Sequence, residues 1–421
     1  EIHVSEKMKG NFVDTSLYTD FTIVNPGNIS SELQFEICSR CHLQGNTVLE
    51  EGKSFFDFKP GMHLKEVMNV YLPKYEGDDS FIMASHVERL KMSDCFIKSE
   101  GNLTCVTCHN PHLSVTVTPD EVFNKSCNSC HKQTQIHASG KGDNCVECHM
   151  PKSGSSDIPH VKVTDHKISI PQTMNTTKQE SLKKFIGLYC VNNDSPSDIS
   201  LLNAYLQQFE KFDQQSYYLD SALVYLSVLA EGLCTKEWVK YYFFRGDYKA
   251  LVSWFERKSF QNRLNQLNQQ SYANDDAWTW YRIGEAYYIL SNWEQAFLCY
   301  REAAALAPYH LEIQNKYAMA LLRTERLLES KKVFEFVISE NPNFEKVYAN
   351  YGYLLSTLGH YDLAVEQYRK AISLNPDLVQ AWLNYAAYYM YMGNTHEAIK
   401  CLEEVLRIDP RHHQAKLVLE Q

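Results

Sequence analysis

The residues with the most distinctive chemistry are cysteines that occur in pairs, each pair followed by a histidine. Eight of the 13 cysteines form four Cys-x-x-Cys-His motifs between residues 38 and 149. The two thiols of such a motif add to the two vinyl groups of a haem, and the adjacent histidine becomes the proximal ligand of the iron. The motifs predict four covalently attached haem c groups. The attachment residues are Cys38 and Cys41, Cys105 and Cys108, Cys127 and Cys130, and Cys145 and Cys148, and the proximal ligands are His42, His109, His131 and His149.

The sixth ligand of each iron decides between electron transfer and catalysis. An iron with two axial side chains has no open position and only passes electrons, whereas an iron with one axial side chain binds a substrate. Histidines outside the motifs outnumber the haems, which favours bis-histidine ligation and predicts an electron carrier, not an enzyme. The candidate distal ligands are His86, His112, His166, His137, His160 and His3.

The position of His112 carries a geometric constraint. It follows the proximal His109 by three residues, and the link between them contains Pro111. So short and stiff a link does not carry a side chain round to the opposite face of the same haem. If His112 is a ligand, it therefore binds a neighbouring haem, and the two haems lie in close contact.

The motifs and their surroundings resemble multihaem (tetrahaem) c-type cytochromes fused to tetratricopeptide repeats, over nearly the whole chain. The resemblance is carried by Ser85-His86-x2-Arg89, Ser93-x-Cys95, Cys105-x2-Cys108-His109-Asn-Pro111-His112, Cys145-x2-Cys148-His149-Met150-Pro151-Lys152, Ile158-Pro-His160 and Asp165-His166. It implies distal roles for His86, for His112 and for one or both of His160 and His166. His3 resembles the stretch that follows an additional upstream motif in longer relatives, so it is a candidate ligand for one of the four haems or for a haem of a neighbouring subunit.

The domain organisation follows from where helical periodicity begins. Residues 1–171 have weak periodicity and scattered Gly and Pro, which predicts a loop-rich tetrahaem cytochrome c domain. In such a domain short helices lie at the motifs, and the macrocycles replace most of the conventional core. The polar stretch 172–180 is a predicted linker. A helical region with a degenerate repeat is predicted at 181–275, from apolar residues at helical spacing over 198–212, 216–231, 235–245 and 247–258.

The last part of the chain contains an internal repeat. Prolines recur every 34 residues, the period of tetratricopeptide repeats, at Pro308, Pro342, Pro376 and Pro410. The second repeat departs from the pattern, with Ser330 in place of alanine and Gln314 in place of an aromatic residue. Repeats with a short cap are predicted over 276–421, at 277–310, 311–344, 345–378 and 379–412. The predicted fold class is mostly α, with a haem-cored, loop-rich cytochrome domain followed by an α-helical tetratricopeptide solenoid.

Composition excludes several classes of partner. The 421 residues carry 51 acidic against 41 basic side chains, a formal charge of −10, and no basic stripe for nucleic acid. No apolar run approaches the about 20 residues that cross a bilayer.

Haem attachment at Cys-x-x-Cys-His normally takes place outside the cytoplasm, which predicts a periplasmic or extracellular protein whose targeting segment has been removed. In that oxidising setting Cys190 and Cys234 are candidates for a disulfide, which their spacing alone does not establish.

These features predict electron transfer through four bis-histidine haems, with redox proteins as partners. The repeat domain is predicted to mediate protein contacts, either with a protein or peptide in its groove or with a second copy. By the repeat register, the groove-facing aromatics are Trp278, Tyr281, Tyr288, Tyr353 and Tyr391. One alternative is a subunit of a conductive extracellular cytochrome filament, a homopolymer in which His3 ligates a haem of the next subunit. The other is a multihaem oxidoreductase of the nitrite or hydroxylamine type with one five-coordinate haem.

Overall fold

The computed structural model describes residues 2–14, 22–76, 85–131, 144–154, 162–170, 184–257 and 274–420. Its contacts divide the chain into two compact units, Glu1–Leu229 and Ala230–Gln421. The predicted linker at 172–180 lies outside the described residues.

The described part of the first unit combines helices with two small sheets. Its helices are α1 (Ile2–Met8), α2 (Ser31–His42), α3 (His86–Lys91), α4 (Asp94–Lys98), α5 (Cys105–Cys108), α6 (Asp120–Cys130), α7 (Cys145–His149), α8 (Asp198–Lys211) and α9 (Ser216–Val228). Its strands are β1 (Asn46–Leu49), β2 (Met68–Tyr75), β3 (Lys152–Gly154), β4 (Lys162–Thr164) and β5 (Phe185–Cys190).

The larger sheet is antiparallel, in the order β1-β2-β5, and β2 is its central strand. On β2, Tyr71 lies opposite Asn46 of β1 and Cys190 of β5. One face of this region covers a conventional core that includes Phe35, Leu43, Leu64, Val67, Met68, Val70, Val87 and Leu90. The expectation of little conventional core in this domain is thus corrected. The central strand pairs with a segment far away along the chain, and local periodicity does not reveal such non-local pairing.

Helix α8 is joined to this sheet by buried amide side chains. Asn46 Nδ2 donates to the Ala204 carbonyl at 2.7 Å and to Gln208 Oε1 at 3.0 Å. Asn69 Nδ2 and the Tyr71 hydroxyl both donate to Ser200 Oγ, at 3.0 and 2.8 Å. Buried polar groups stabilise a fold only when they have such partners. The network therefore makes α8 part of the first unit.

The described part of the second unit is helical, and its helices form hairpins. They are α10 (Thr235–Phe244), α11 (Tyr248–Glu256), α12 (Asn274–Ile289), α13 (Trp293–Leu306), α14 (Leu311–Arg323), α15 (Leu327–Glu340), α16 (Glu345–Thr357), α17 (Tyr361–Leu374), α18 (Val379–Tyr391), α19 (Thr395–Ile408) and α20 (His413–Leu419). Each predicted repeat contains one hairpin: α12 with α13, α14 with α15, α16 with α17, and α18 with α19. The predicted repeat architecture is confirmed.

The divergent second repeat keeps the contacts of the others. Tyr348 and Trp382 donate to the carbonyls of Pro342 and Pro376, six residues earlier, at 2.9 and 2.8 Å. Gln314, at the same repeat position, donates to the Pro308 carbonyl at 3.0 Å. The Ser330 hydroxyl donates to the Ala318 carbonyl at 2.8 Å. Both departures from the pattern therefore replace an apolar or aromatic residue without leaving a buried polar atom unpaired.

Each hairpin turns through one residue in the left-handed region, and this position offers a stability test. Gly359 and Gly393 have φ of 79° and 72°, but Ser291 and Glu325 occupy the same position with φ of 60°. This conformation costs a residue with a Cβ about 1–2 kcal/mol. We therefore expect Glu325→Gly to raise the free energy of unfolding by about 0.5–1 kcal/mol. The measurement is chemical denaturation. Gly359→Ala is the matched opposite change and should lower stability by about 1 kcal/mol; equal effects of both variants would contradict the prediction.

Candidate functional site

The four motifs all lie at the ends of helices. Cys38, Cys41 and His42 end α2, and Cys105–Cys108 form α5 with His109 as its C-cap. In α6 the cysteines again occupy the last turn, with His131 as C-cap, and α7 consists of Cys145–His149. One helical turn places thiols at i and i+3 on the same face. The short helices predicted at the motifs are therefore present.

Side-chain hydrogen bonds join neighbouring motifs. Asn124 of α6 donates to Asn144 Oδ1 at 3.1 Å and accepts from the Val146 amide at 3.2 Å, which ties α6 to α7. Ser126 Oγ donates to the Thr107 carbonyl at 3.1 Å, which ties α6 to α5. The helices of the second, third and fourth motifs thus form one connected group.

The thiols of different motifs also approach one another. A hydrogen bond between the Cys38 and Cys105 thiols lowers the pKa of Cys38 to about 7, and the same bond, together with burial, raises the pKa of Cys105. Burial, and then the nearby Cys145 and other thiols, raise the pKa of Cys127 to about 11. The thiols of the first and second motifs therefore lie close together, and so do those of the third and fourth motifs.

Four imidazoles form a continuous row, here called the histidine row: His42, His86, His166 and His109. Successive ring centroids are 5.6 Å, 4.5 Å and 6.1 Å apart, and the interplanar angles are 23°, 30° and 29°. His42 and His109 are predicted proximal ligands, and the two histidines between them are predicted distal ligands. The fold thus brings together residues from positions 42 to 166.

A lowered pKa favours the neutral form of three members of the histidine row, His86, His109 and His166. Burial, followed by the neighbouring imidazoles, lowers the pKa of His86 to about 4. Burial is also the main cause that lowers the pKa of His109 and of His166. The neutral imidazole is the form that binds metals.

Hydrogen bonds set the tautomer of two candidate ligands. His166 Nδ1 lies 3.0 Å from the Thr164 carbonyl, and His149 Nδ1 lies 2.9 Å from the Ser169 carbonyl. A carbonyl only accepts, so Nδ1 carries the proton in both rings and Nε2 keeps its lone pair. His86 Nδ1 is buried and has no hydrogen-bond partner among the described residues.

The remaining predicted ligands are placed differently. His112 and His131 are exposed, and the His112 amide donates to Asn110 Oδ1 at 3.0 Å. His3 Nδ1 lies 2.8 Å from Thr22 Oγ1. His137 and His160 lie outside the described residues. Cys190 and Cys234 are free thiols, so the structure contains no disulfide between them.

Apolar side chains with high exposure surround the motif helices. Each is between 45% and 73% exposed: Val106, Leu113, Val115, Val117 and Val122. The Phe123 ring lies 5.3 Å from the His109 ring. Five exposed apolar side chains within 17 residues of sequence, counted from Val106 to Val122, form an apolar surface that is unusual for a region facing water.

The described residues contain neither a site for a bare metal ion nor a helix that could span a membrane. No group of three or more His, Cys, Asp or Glu side chains there is arranged to hold a bare metal ion. A haem iron needs only two axial side chains, because the macrocycle supplies the other ligands. No helix in the described ranges is long and apolar enough to cross a membrane.

In the second unit the first helices of successive hairpins lie side by side. Lys316 forms an ion pair with Glu285 at 2.8 Å, and Asn350 donates to Asn315 Oδ1 at 3.1 Å. The guanidinium of Arg323 lies 5.4 Å from the Trp293 ring and 5.6 Å from the Tyr353 ring. Most of the predicted groove aromatics are half-buried, whereas Tyr391 is 72% exposed. The face of these first helices therefore combines aromatic rings with paired charges.

The protein-family models that match this chain match its repeats. Models of the tetratricopeptide repeat match residues 345–378 and 379–412, which are the boundaries predicted for the third and fourth repeats. The chain therefore contains tetratricopeptide repeats. Neither matched range includes the Cys-x-x-Cys-His motifs.

Individual relatives cover part of the chain. The uncharacterised protein ycf37 of Cyanophora paradoxa is 32% identical over 122 residues, which are 28% of this chain and 67% of that protein. The human protein O-mannosyl-transferase TMTC3 is 26% identical over 175 residues, and the chain spans only 19% of its length. Among solved structures, the thermophilic tetratricopeptide-repeat protein TTC0263 of Thermus thermophilus is 20% identical, with 45% of this chain and 96% of that chain covered at a TM-score of 0.36. MamA is 17% identical, with 42% and 96% covered at a TM-score of 0.32.

Proposed function

We propose that this chain is an electron-transfer protein that carries four covalently attached haem c groups and binds a protein partner through its repeats. The observation that carries the proposal is the pairing of imidazoles in the histidine row. His42 pairs with His86, and His109 pairs with His166. Each pair combines the proximal histidine of a motif with a histidine from outside the motifs.

The spacing within the pairs fits axial ligation. Two imidazoles on opposite sides of an iron, each with a metal–nitrogen distance of about 2 Å, have ring centroids about 6 Å apart. The centroid distances are 5.6 Å for His42 and His86 and 6.1 Å for His109 and His166. The 4.5 Å between His86 and His166 is too short for a shared iron, so these two rings belong to different sites.

The protonation and surroundings of the rings support the same assignment. Neutral imidazoles, a lone pair left on Nε2 of His166 and a buried Nδ1 of His86 without a hydrogen-bond partner all suit metal ligation. The exposed apolar side chains around the motifs, from Val106 to Val122, would be covered by the macrocycles.

The proposed roles of the chain follow from these contacts. Haem c, when bound, supplies a reversible one-electron couple at its iron. His86 and His166 would fill the sixth positions and exclude substrate from both irons. Because the histidine row is continuous, the two ligand pairs lie next to each other, which suits relay of electrons and not catalysis.

The proposed function also implies a cellular location and a binding partner. Covalent haem attachment normally takes place outside the cytoplasm, so it would place the protein in the periplasm or outside the cell. The aromatic face of the first repeat helices would bind a redox partner or another protein, since stacked repeats present extended binding surfaces.

Counting haems tests the proposal directly. Wild-type protein produced with haem-attachment enzymes should contain four haems per chain, measured by mass spectrometry and by the alkaline pyridine spectrum. The double variant Cys105→Ala/Cys108→Ala should contain three, because this pair would hold one macrocycle. Cys190→Ala, a thiol of the same unit outside the motifs, should still contain four. Wild-type protein without covalent haem would refute the proposal.

A further inference from the structure

Two charged side chains beside the histidine row have no role in ligation: Arg89 and Asp165. Arg89 lies on α3 one turn after His86, and Asp165 directly precedes His166. Arg89 Nε donates to Asp165 Oδ1 at 2.9 Å, and Arg89 Nη2 donates to Oδ2 at 2.6 Å. This bidentate arrangement uses the planar guanidinium, which lysine does not reproduce.

The ion pair is largely shielded from water. The side chains of Arg89 and Asp165 are 8% and 15% exposed. Burial acts to raise the pKa of Asp165, but hydrogen bonds from Arg89 and from the Lys167 amide outweigh it and hold the pKa below its usual value. Removal of either partner would therefore leave the other as a poorly solvated charge.

The two partners stand on segments that are anchored separately. Helix α3 is fixed by Val87 and Leu90 in the core, and Glu88 accepts from the Tyr189 hydroxyl at 3.0 Å. The segment that carries His166 is attached to the fourth motif, where the Asp165 amide donates to the Pro151 carbonyl at 3.0 Å. The Arg89–Asp165 pair joins these segments within one turn of His86 and one residue of His166.

We propose that the Arg89–Asp165 ion pair is the positioning device that sets His86 and His166 side by side and so fixes the sixth ligands of two irons. The inference rests on the proposed function, since it assigns Arg89 and Asp165 as positioning residues of the same sites. It predicts that loss of the pair affects the distal ligands and leaves covalent attachment intact, because the cysteines lie on other helices.

The test uses the intact holoprotein and the variants Arg89→Met and Asp165→Asn. We expect four haems per chain in both, with a high-spin ferric signal from up to two haems and shifted reduction potentials. Arg89→Lys keeps the charge and loses the fork, so it should give a smaller high-spin fraction. Lys240→Met, which breaks the partly buried ion pair with Asp275 in the second unit, is the matched control and should leave the spectra unchanged.

The outcomes separate the two proposals. Four low-spin haems with unchanged potentials in folded Arg89→Met would overturn the positioning role and leave the proposed function intact. If Arg89→Met does not fold, the spectrum of Arg89→Lys decides by the same criterion. Wild-type protein without haem would overturn the proposed function and this inference together.

Discussion

Replacement of His86 by alanine is expected to leave four haems attached and to convert one of them from low spin to high spin. His86 lies between His42 and His166 in the histidine row, and its ring pairs with that of His42 at 5.6 Å. An iron that loses one of two strong axial imidazoles becomes five-coordinate and gains an open position. The measurements are the absorption and electron paramagnetic resonance spectra of the ferric protein and carbon monoxide binding by the ferrous protein.

Combination with motif variants shows which iron His86 serves. The Cys38→Ala/Cys41→Ala background should lack the haem that we propose next to His42, so His86→Ala should add no high-spin signal there. In the Cys105→Ala/Cys108→Ala background the signal should persist. The control is His360→Ala in the repeat unit, which should change nothing. A fully low-spin His86→Ala protein would contradict the assignment of His86 as a ligand.

In the second unit, the largest effect is expected at Gly352. A Cβ at this position would lie 2.6 Å from Cε1 and 2.8 Å from Cδ1 of Tyr368, whose ring is 1% exposed. Overpacking of this kind costs about 1–3 kcal/mol, and the better helix propensity of alanine returns up to about 1 kcal/mol. We therefore expect Gly352→Ala to lower the free energy of unfolding by about 1–2 kcal/mol, measured by chemical denaturation.

A double-mutant cycle tests the cause. The fourth repeat combines Ala386 with Leu402 at the equivalent positions, so Tyr368→Leu should remove the clash. Gly352→Ala should cost less than half as much in the Tyr368→Leu background, with a coupling of about 1 kcal/mol. At Gly284 the nearest Tyr300 atoms are 3.0 Å away, so Gly284→Ala should be milder. Additive effects of Gly352→Ala and Tyr368→Leu would show that the ring is not the obstacle.

Local patterns in the sequence determined the repeats and the motif helices. Pro308, Pro342, Pro376 and Pro410 recur every 34 residues, and each repeat buries its apolar face against its immediate neighbours, so that the period and the contacts are both local. The matches at 345–378 and 379–412 reproduce the predicted boundaries for this reason. Cys-x-x-Cys likewise needs only one helical turn.

The non-local contacts could not be predicted from the sequence. Asn69 and Cys190 are 121 residues apart and meet because β2 pairs with β5. The amide network of Asn46 with α8 depends on the same sheet. No periodic signal connects segments that are so distant, since each of them is short and their pairing is established only on folding.

The candidate site likewise combines features that local sequence patterns predict with features that only non-local contacts determine. Residue types and spacing alone predicted four haem attachment motifs, their proximal histidines and a surplus of distal candidates, because these predictions depend on residues within a few positions of one another. Only the tertiary structure placed the rings of His86 and His166 beside those of His42 and His109, and Arg89 against Asp165. The pairing of ligands depends on distances across helices and loops, which the packing of the whole unit decides.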